Sequence, residues 1–158
     1  MFRIEIFVML TVMVVTIRGQ ICSFPEKVYF QAWNSATFTN IKSGHIFVFD
    51  RTNTNHGNHY DSSNGNFTAP RDGPYVFTWT VVTQDKYSIN VELFRNNQRV
   101  SRAQADGQPG PQNSSGSNTV VLDLKTGDVV NLRCGGWMNQ DQRQLYGDTY
   151  STFSGWAL

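Results

Sequence analysis

Few side chains in this sequence could do chemistry beyond folding, and they are scattered. Its histidines are His45, His56 and His59. His56 and His59 fall close together in a polar turn and His45 follows Gly44. A metal site would need three ligands converging from separate loops, and this spacing is not diagnostic of one. We read all three as turn or surface histidines. There is no G-x-S-x-G elbow, no glycine-rich phosphate loop ahead of a helix and no H-E-x-x-H pair. The chain is therefore read as a non-enzyme. A different chemistry comes from aromatics set among amides and carboxylates. Trp33 precedes Asn34, and Trp137 and Tyr146 flank Asn139, Gln140, Asp141 and Gln142. Rings that stack on sugar faces, beside groups that bond hydroxyls, make a carbohydrate-binding surface. The competing reading, preferred for the two tryptophans, packs them under loops or at a subunit contact.

Charge narrows the partners. Thirteen basic residues stand against twelve acidic ones in 158 residues. That balance lacks the electrostatic footprint of a nucleic-acid binder and suggests no anionic membrane. The length fits one domain with an N-terminal appendage. Arg3 followed by the apolar run Ile6 to Ile17 is too short to span a membrane, and it suits a secretory signal peptide over 1–23, with a signal anchor as the alternative. The cysteines are Cys22 and Cys134. Cys134 shares strand parity with Val130 and Leu132, so a buried free thiol is the expected state; pairing with Cys22 would need a tail to reach a strand interior.

The elements that must position these residues are short strands. In Asn66-Phe67-Thr68, a Pro/Asp/Gly turn and then Gly73-Pro74-Tyr75-Val76-Phe77-Thr78-Trp79, the aromatics Tyr75, Phe77 and Trp79 share a parity with Val81 and point to one face. Further strands are expected from Val28 to Trp33, over the apolar run Ile46 to Phe49, and from Tyr87 to Leu93, where Tyr87, Ile89, Val91 and Leu93 alternate with polar residues. Others follow across Val120 to Leu124, Val130 to Cys134 and Thr152 to Leu158. Asn53 to Asn58 reads as turn chemistry, and Arg95-Asn96-Asn97-Gln98 as a hairpin turn. Ala105 to Asn118, rich in Gly, Pro, Ser and Asn, reads as a mobile surface loop. No helical period, internal repeat or Gly-X-Y tract is present, so an all-β sandwich follows. Asn66-Phe67-Thr68 and Asn113-Ser114-Ser115 are N-glycosylation sequons, the second the more accessible.

Phe49, Asn55, Tyr60, Phe67, Gly73, Tyr75 and Phe77 together resemble the spaced signature of the complement C1q globular head, with Trp79 where that family usually has Phe or Tyr. Gly57-Asn58-His59-Tyr60, Leu122-Asp123-Leu124 through Gly127-Asp128, and the terminal Ser151-Thr152-Phe153-Ser154-Gly155 extend the likeness over 24–158. The resemblance implies a ten-stranded jelly roll, association as a homotrimer, and a secreted, head-only recognition protein. Such members act in innate immunity by binding microbial carbohydrate or lipopolysaccharide. The resemblance also leaves open a cerebellin-like ligand for a cell-surface receptor. Some relatives hold calcium near the trimer top. Asp106 falls where one such carboxylate would sit, while Asn113, Ser114 and Ser115 occupy the place of the second. Under this reading the candidate ligand-binding residues are Trp137, Asn139, Asp141, Tyr146 and Asp106, with no required cofactor.

Overall fold

The computed structural model describes residues 26–136 and 139–158. The leader, Cys22 and Trp137 lie outside the described residues. The longest inner strand, β6 (Gly73–Gln84), shows how the rest assembles. Tyr75, Phe77, Trp79 and Val81 all turn inward and are buried, as their shared parity requires. On one side β6 pairs with β12 (Thr152–Ala157), which pairs with β1 (Tyr29–Trp33), which pairs with β3 (Arg51–His56). On its other side lies β9 (Asn113–Leu124), giving a first sheet in the order β3-β1-β12-β6-β9. The second sheet takes β4 (Tyr60–Asp61), β5 (Asn66–Thr68), β10 (Val129–Cys134), β7 (Ser88–Arg95) and β8 (Gln98–Asp106), in that order. These two five-stranded sheets are the ten strands of a jelly roll, and neighbouring strands within each run antiparallel. A small extra sheet pairs β2 (Phe38–Thr39) with β11 (Gln144–Leu145), after a single 3₁₀ turn at Gln140–Gln142.

Between the sheets lies an aromatic core. Phe67 meets Phe77 edge-on at 5.3 Å and stacks on Phe30 at 5.4 Å, while Phe30 stacks on Tyr60 at 4.8 Å. Gly155 is required here, because a Cβ would stand 2.7 Å from the rings of both Phe30 and Phe77. The β7–β8 turn places Asn96 and Asn97 at φ 48° and 68°, the left-handed pair that matches strand twist in a tight hairpin.

Four local expectations change. Ile46 to Phe49 forms no strand beyond a bridge from Ile46 to Arg133, although Phe47 and Phe49 are fully buried. Asn53 to His56 belong to β3, and the turn is confined to its end, where Gly57 takes φ 80° and Asn58 φ 55°. Tyr87 lies in a turn ahead of β7, and Ser88 and Asn90, expected on a solvent face, are buried. The supposed loop from Ala105 to Asn118 is mostly ladder: Ala105 and Asp106 end β8, and Asn113 to Asn118 pair with Gln84 to Trp79. Small polar residues suit both a loop and a sheet-edge strand, and composition alone cannot separate the two.

The sandwich is closed along both seams by an asparagine. Asn55 on β3 donates through Nδ2 to the Tyr60 carbonyl on β4 at 2.7 Å and accepts from the Tyr60 amide at 3.2 Å. Opposite, Asn118 on β9 donates to the Arg102 carbonyl and Ser101 hydroxyl of β8, both at 2.8 Å.

Candidate functional site

One end of the sandwich is built on the three residues between β6 and β7. Asp85 takes φ 51°, and its amide donates to the Gln112 carbonyl at 3.1 Å. Its carboxylate accepts from the Gly110 amide at 3.1 Å. Gly107 donates to the Tyr87 carbonyl at 2.8 Å, packed so closely that a Cβ would run into the Asp85 and Tyr87 carbonyl oxygens. These bonds fasten residues 107–112 along one flank of the turn. On the other flank, Gln144 accepts from the Gln84 amide at 3.0 Å, Tyr146 donates its amide to the Val82 carbonyl at 2.8 Å, and Arg143 bridges Ser88.

Asp106 to Asn113, within the expected loop Ala105 to Asn118, and 139–146, the described part of the stretch from Trp137 to Tyr146, therefore meet at one end, on opposite sides of Asp85-Lys86-Tyr87. An open groove of about 550 Å³ lies on the first side, lined by Gln84, Asp85, Gly110, Pro111, Gln112 and Asn113. A smaller cleft of about 270 Å³ lies on the second, lined by Lys86, Tyr87, Asp141 and Gln142. Asn139 and Asp141 are exposed. Tyr146 lines neither hollow; it stacks on Tyr150, ring centroids 4.7 Å apart. Trp33 ends β1 and donates its indole N–H to Asn53 at 3.2 Å. Lys86 and Tyr87 were absent from the sequence-based site. Their only signal was a polar break, Gln84 to Lys86, between two apolar strands.

Asp106 ends β8, exposed, with Oδ2 accepting from Gln104 at 2.5 Å. Calcium takes about six to eight oxygens and favours several carboxylates. Among the described residues no three His, Cys, Asp or Glu side chains group to hold a metal. His45 packs edge-on against Phe47, and His56 stacks on Tyr29 at 5.1 Å. Cys134 is a buried free thiol whose pKa is pushed up by burial, an unreactive state. Of the sequon asparagines, Asn113 is exposed at the start of β9, whereas Asn66 is half-buried and accepts from Asn131 at 2.8 Å.

The outward face of the first sheet carries an apolar row: Tyr29, Trp156, Val76 and Val121 stand in register across four strands. Val121 is 63% exposed, and the C-terminal Leu158 65%.

Two antiparallel five-stranded sheets around one aromatic core define a jelly-roll protein of the kind shared by C1q and tumour necrosis factor domains. A family model described as "C1q domain" matches residues 29–158, and the chain belongs to that family. It is 33% identical over 137 residues to Caprin-2 of Danio rerio, covering 84% of this chain and 14% of that protein. It is also 33% identical over 138 residues to complement C1q tumor necrosis factor-related protein 3 of Homo sapiens, covering 85% of this chain and 52% of that protein. The chain thus spans about half or less of the curated relatives it matches. Among solved structures, the globular domain of zebrafish complement 1qA protein aligns with a TM-score of 0.67 at 19% identity, over 84% of this chain and 98% of that one. Murine APRIL aligns at 0.62 and 11%, over 84% and 100%. Among the described residues no helix is long and apolar enough to cross a membrane.

Proposed function

We propose that this protein is a secreted, non-enzymatic recognition protein, exported by the leader over 1–23, that assembles as a homotrimer and binds microbial carbohydrate or lipopolysaccharide in a lectin-like manner. The observation that carries the binding is the convergence of the two polar loops on Asp85-Lys86-Tyr87, which sets a half-exposed tyrosine beside Asp141, Gln142 and Lys86 in one cleft. A ring face with carboxylate, amide and ammonium groups around it can stack on a pyranose and bond its hydroxyls. The apolar row on the first sheet supplies the trimer contact, since exposed apolar patches of this kind mark association surfaces.

The same row is what favours the second reading, a trimeric ligand for a cell-surface receptor, if part of it stays exposed after assembly. Probing a glycan array with the secreted protein separates the two. Retention of bacterial polysaccharides, weakened by Tyr87→Ala and by Asp141→Ala at unchanged melting temperature, supports the lectin-like reading. No retention by any glycan moves the function to the receptor ligand.

A further inference from the structure

The outward face of the second sheet holds a groove of about 430 Å³, within the range of small-ligand sites, lined by Ile46, Asn66, Asn97, Val129, Asn131 and Arg133 among others. It lies by the β7–β8 turn, at the end of β7 opposite Tyr87. The hydrogen bonds inside it run with one polarity. A guanidinium donates and never accepts. Arg133 Nε donates to Asn131 Oδ1 at 2.8 Å, which fixes the other end of that amide as the NH₂. That NH₂ donates to Asn66 Oδ1 at 2.8 Å. Arg133 Nη2 donates to Asn97 Oδ1 at 2.6 Å. Each of the three amide oxygens already accepts one bond within the relay. The donors left to face a ligand are Asn66 Nδ2, Asn97 Nδ2 and the remaining N–H groups of the charged guanidinium.

The arrangement is built in. Asn131 is 4% exposed, and the Arg133 guanidinium lies over the Phe94 ring at 4.4 Å, which holds its plane. Among the described residues no carboxylate pairs with it, and the ion pairs engage Arg51, Arg95, Arg99 and Lys125. Glu92, beside Arg133 across the β7–β10 ladder, is taken by Arg99. Asp128 near the hairpin is taken by Arg95 and Asn96.

We propose that this groove is a second binding site, separate from the polar end, for the carboxylate of an acidic sugar. The carboxylate takes the free edge of Arg133, in the charge-assisted geometry that guanidinium favours. Neighbouring sugar oxygens accept from Asn66 and Asn97, and Ile46 and Val129 face the C–H groups of the ring.

Calorimetric titration of the unglycosylated protein with glucuronate and with N-acetylneuraminate, against glucose and acetate, tests the site. At least one acidic sugar binds, and which one separates a uronic from a sialic source. Arg133→Gln lowers its affinity about ten- to a hundredfold, the range for losing a charged hydrogen bond. Asn97→Gly, which tolerates the positive φ of that position, weakens binding at an unchanged melting temperature and carries the test if the Arg133 variant does not fold. Tyr87→Ala and Asp141→Ala leave this affinity unchanged, so failure of the polar-end reading is distinguishable from failure here. Glucose binding as tightly as the acids, acetate matching them, or an Arg133→Gln affinity equal to the parent's overturns the proposal.

Discussion

The hydroxyl of Tyr60 clamps both backbone groups of Phe49, accepting from its amide and donating to its carbonyl, each at 3.1 Å. This one side chain does for Phe49 what a neighbouring strand would do. The rest of the segment is met piecemeal, Phe47 donating its amide to the Leu132 carbonyl at 2.9 Å and Gly44 to that of Cys134 at 2.8 Å. An apolar run can thus lie extended, with Phe47 and Phe49 fully buried, without a continuous ladder, because a side-chain hydroxyl and separate carbonyls take the place of a paired strand.

Tyr60→Phe tests the clamp. It keeps the ring in its stack on Phe30 and removes only the hydroxyl, orphaning two buried backbone groups. We expect a loss of about 1–3 kcal/mol, the cost of a buried unsatisfied group, read as a lower midpoint in urea. An unchanged midpoint would mean that water satisfies Phe49.

Phe77→Ala should cost about 3–5 kcal/mol, since it opens a cavity among Phe67, Tyr75 and Phe153. Thermal unfolding measures it. A shift of less than a degree or two would contradict a tightly packed core.

Acid should weaken the fold through two turns. Asp72 is held down at about 2, from an ordinary 3.8, chiefly by the Thr126 amide and then by the Lys125 ammonium. Asp128 is lowered chiefly by the Lys125 amide, with Asn96 and Arg95 adding to it. Both carboxylates bind protons more weakly folded than unfolded, so the unfolded chain takes up more protons in acid. Their contribution is complete above the ordinary carboxylate value and is lost as pH falls through the folded value. Melting temperatures should fall between about pH 5 and about pH 2, and Asp72→Asn and Asp128→Asn should each flatten that fall. Parallel curves for variant and parent would exclude these groups.

Val121→Arg places a charge at the most exposed position of the apolar row, its β9 end, and leaves the core untouched. If the proposed trimer forms through this row, sedimentation should show trimer for the parent and monomer for the variant, at an unchanged far-ultraviolet spectrum. A trimer that survives the substitution assembles through another surface.

Loss of the glycosidase-sensitive mass shift is expected for Asn113→Gln and not for Asn66→Gln, because the first amide is exposed while the second is tied to Asn131. The reverse result would place the glycan in the Arg133 groove.

The core was legible because strand parity states itself in residue type: Tyr75, Phe77, Trp79 and Val81 could face only inward. The hairpin at Asn96-Asn97 was legible because few residues accept that backbone. The strand from Asn113 to Asn118 was not, since what holds it is the facing β6 and no property of Ser or Gly. The polar end was half legible. The sequence offered two loops, but that Asp85 and Tyr87 fasten one of them is a long-range fact written in backbone bonds, which no side-chain pattern announces. The relay from Arg133 through Asn131 to Asn66 was hidden for the same reason.

The asparagines at the two seams bear on how copies of this molecule can meet. A sandwich with open flanks invites a neighbour to extend either sheet strand by strand, and such growth has no natural stop. Here Asn55 and Asn118 spend their amides on the facing sheet's outermost strand, and those flanks are otherwise polar, Arg51–His56 on one side and Asn113 to Thr119 on the other. Association is thereby turned away from backbone pairing and toward side chains on the broad faces, where geometry can limit the number of subunits. A stretch whose composition suggested idle loop serves, on this view, as a guard against fibre formation.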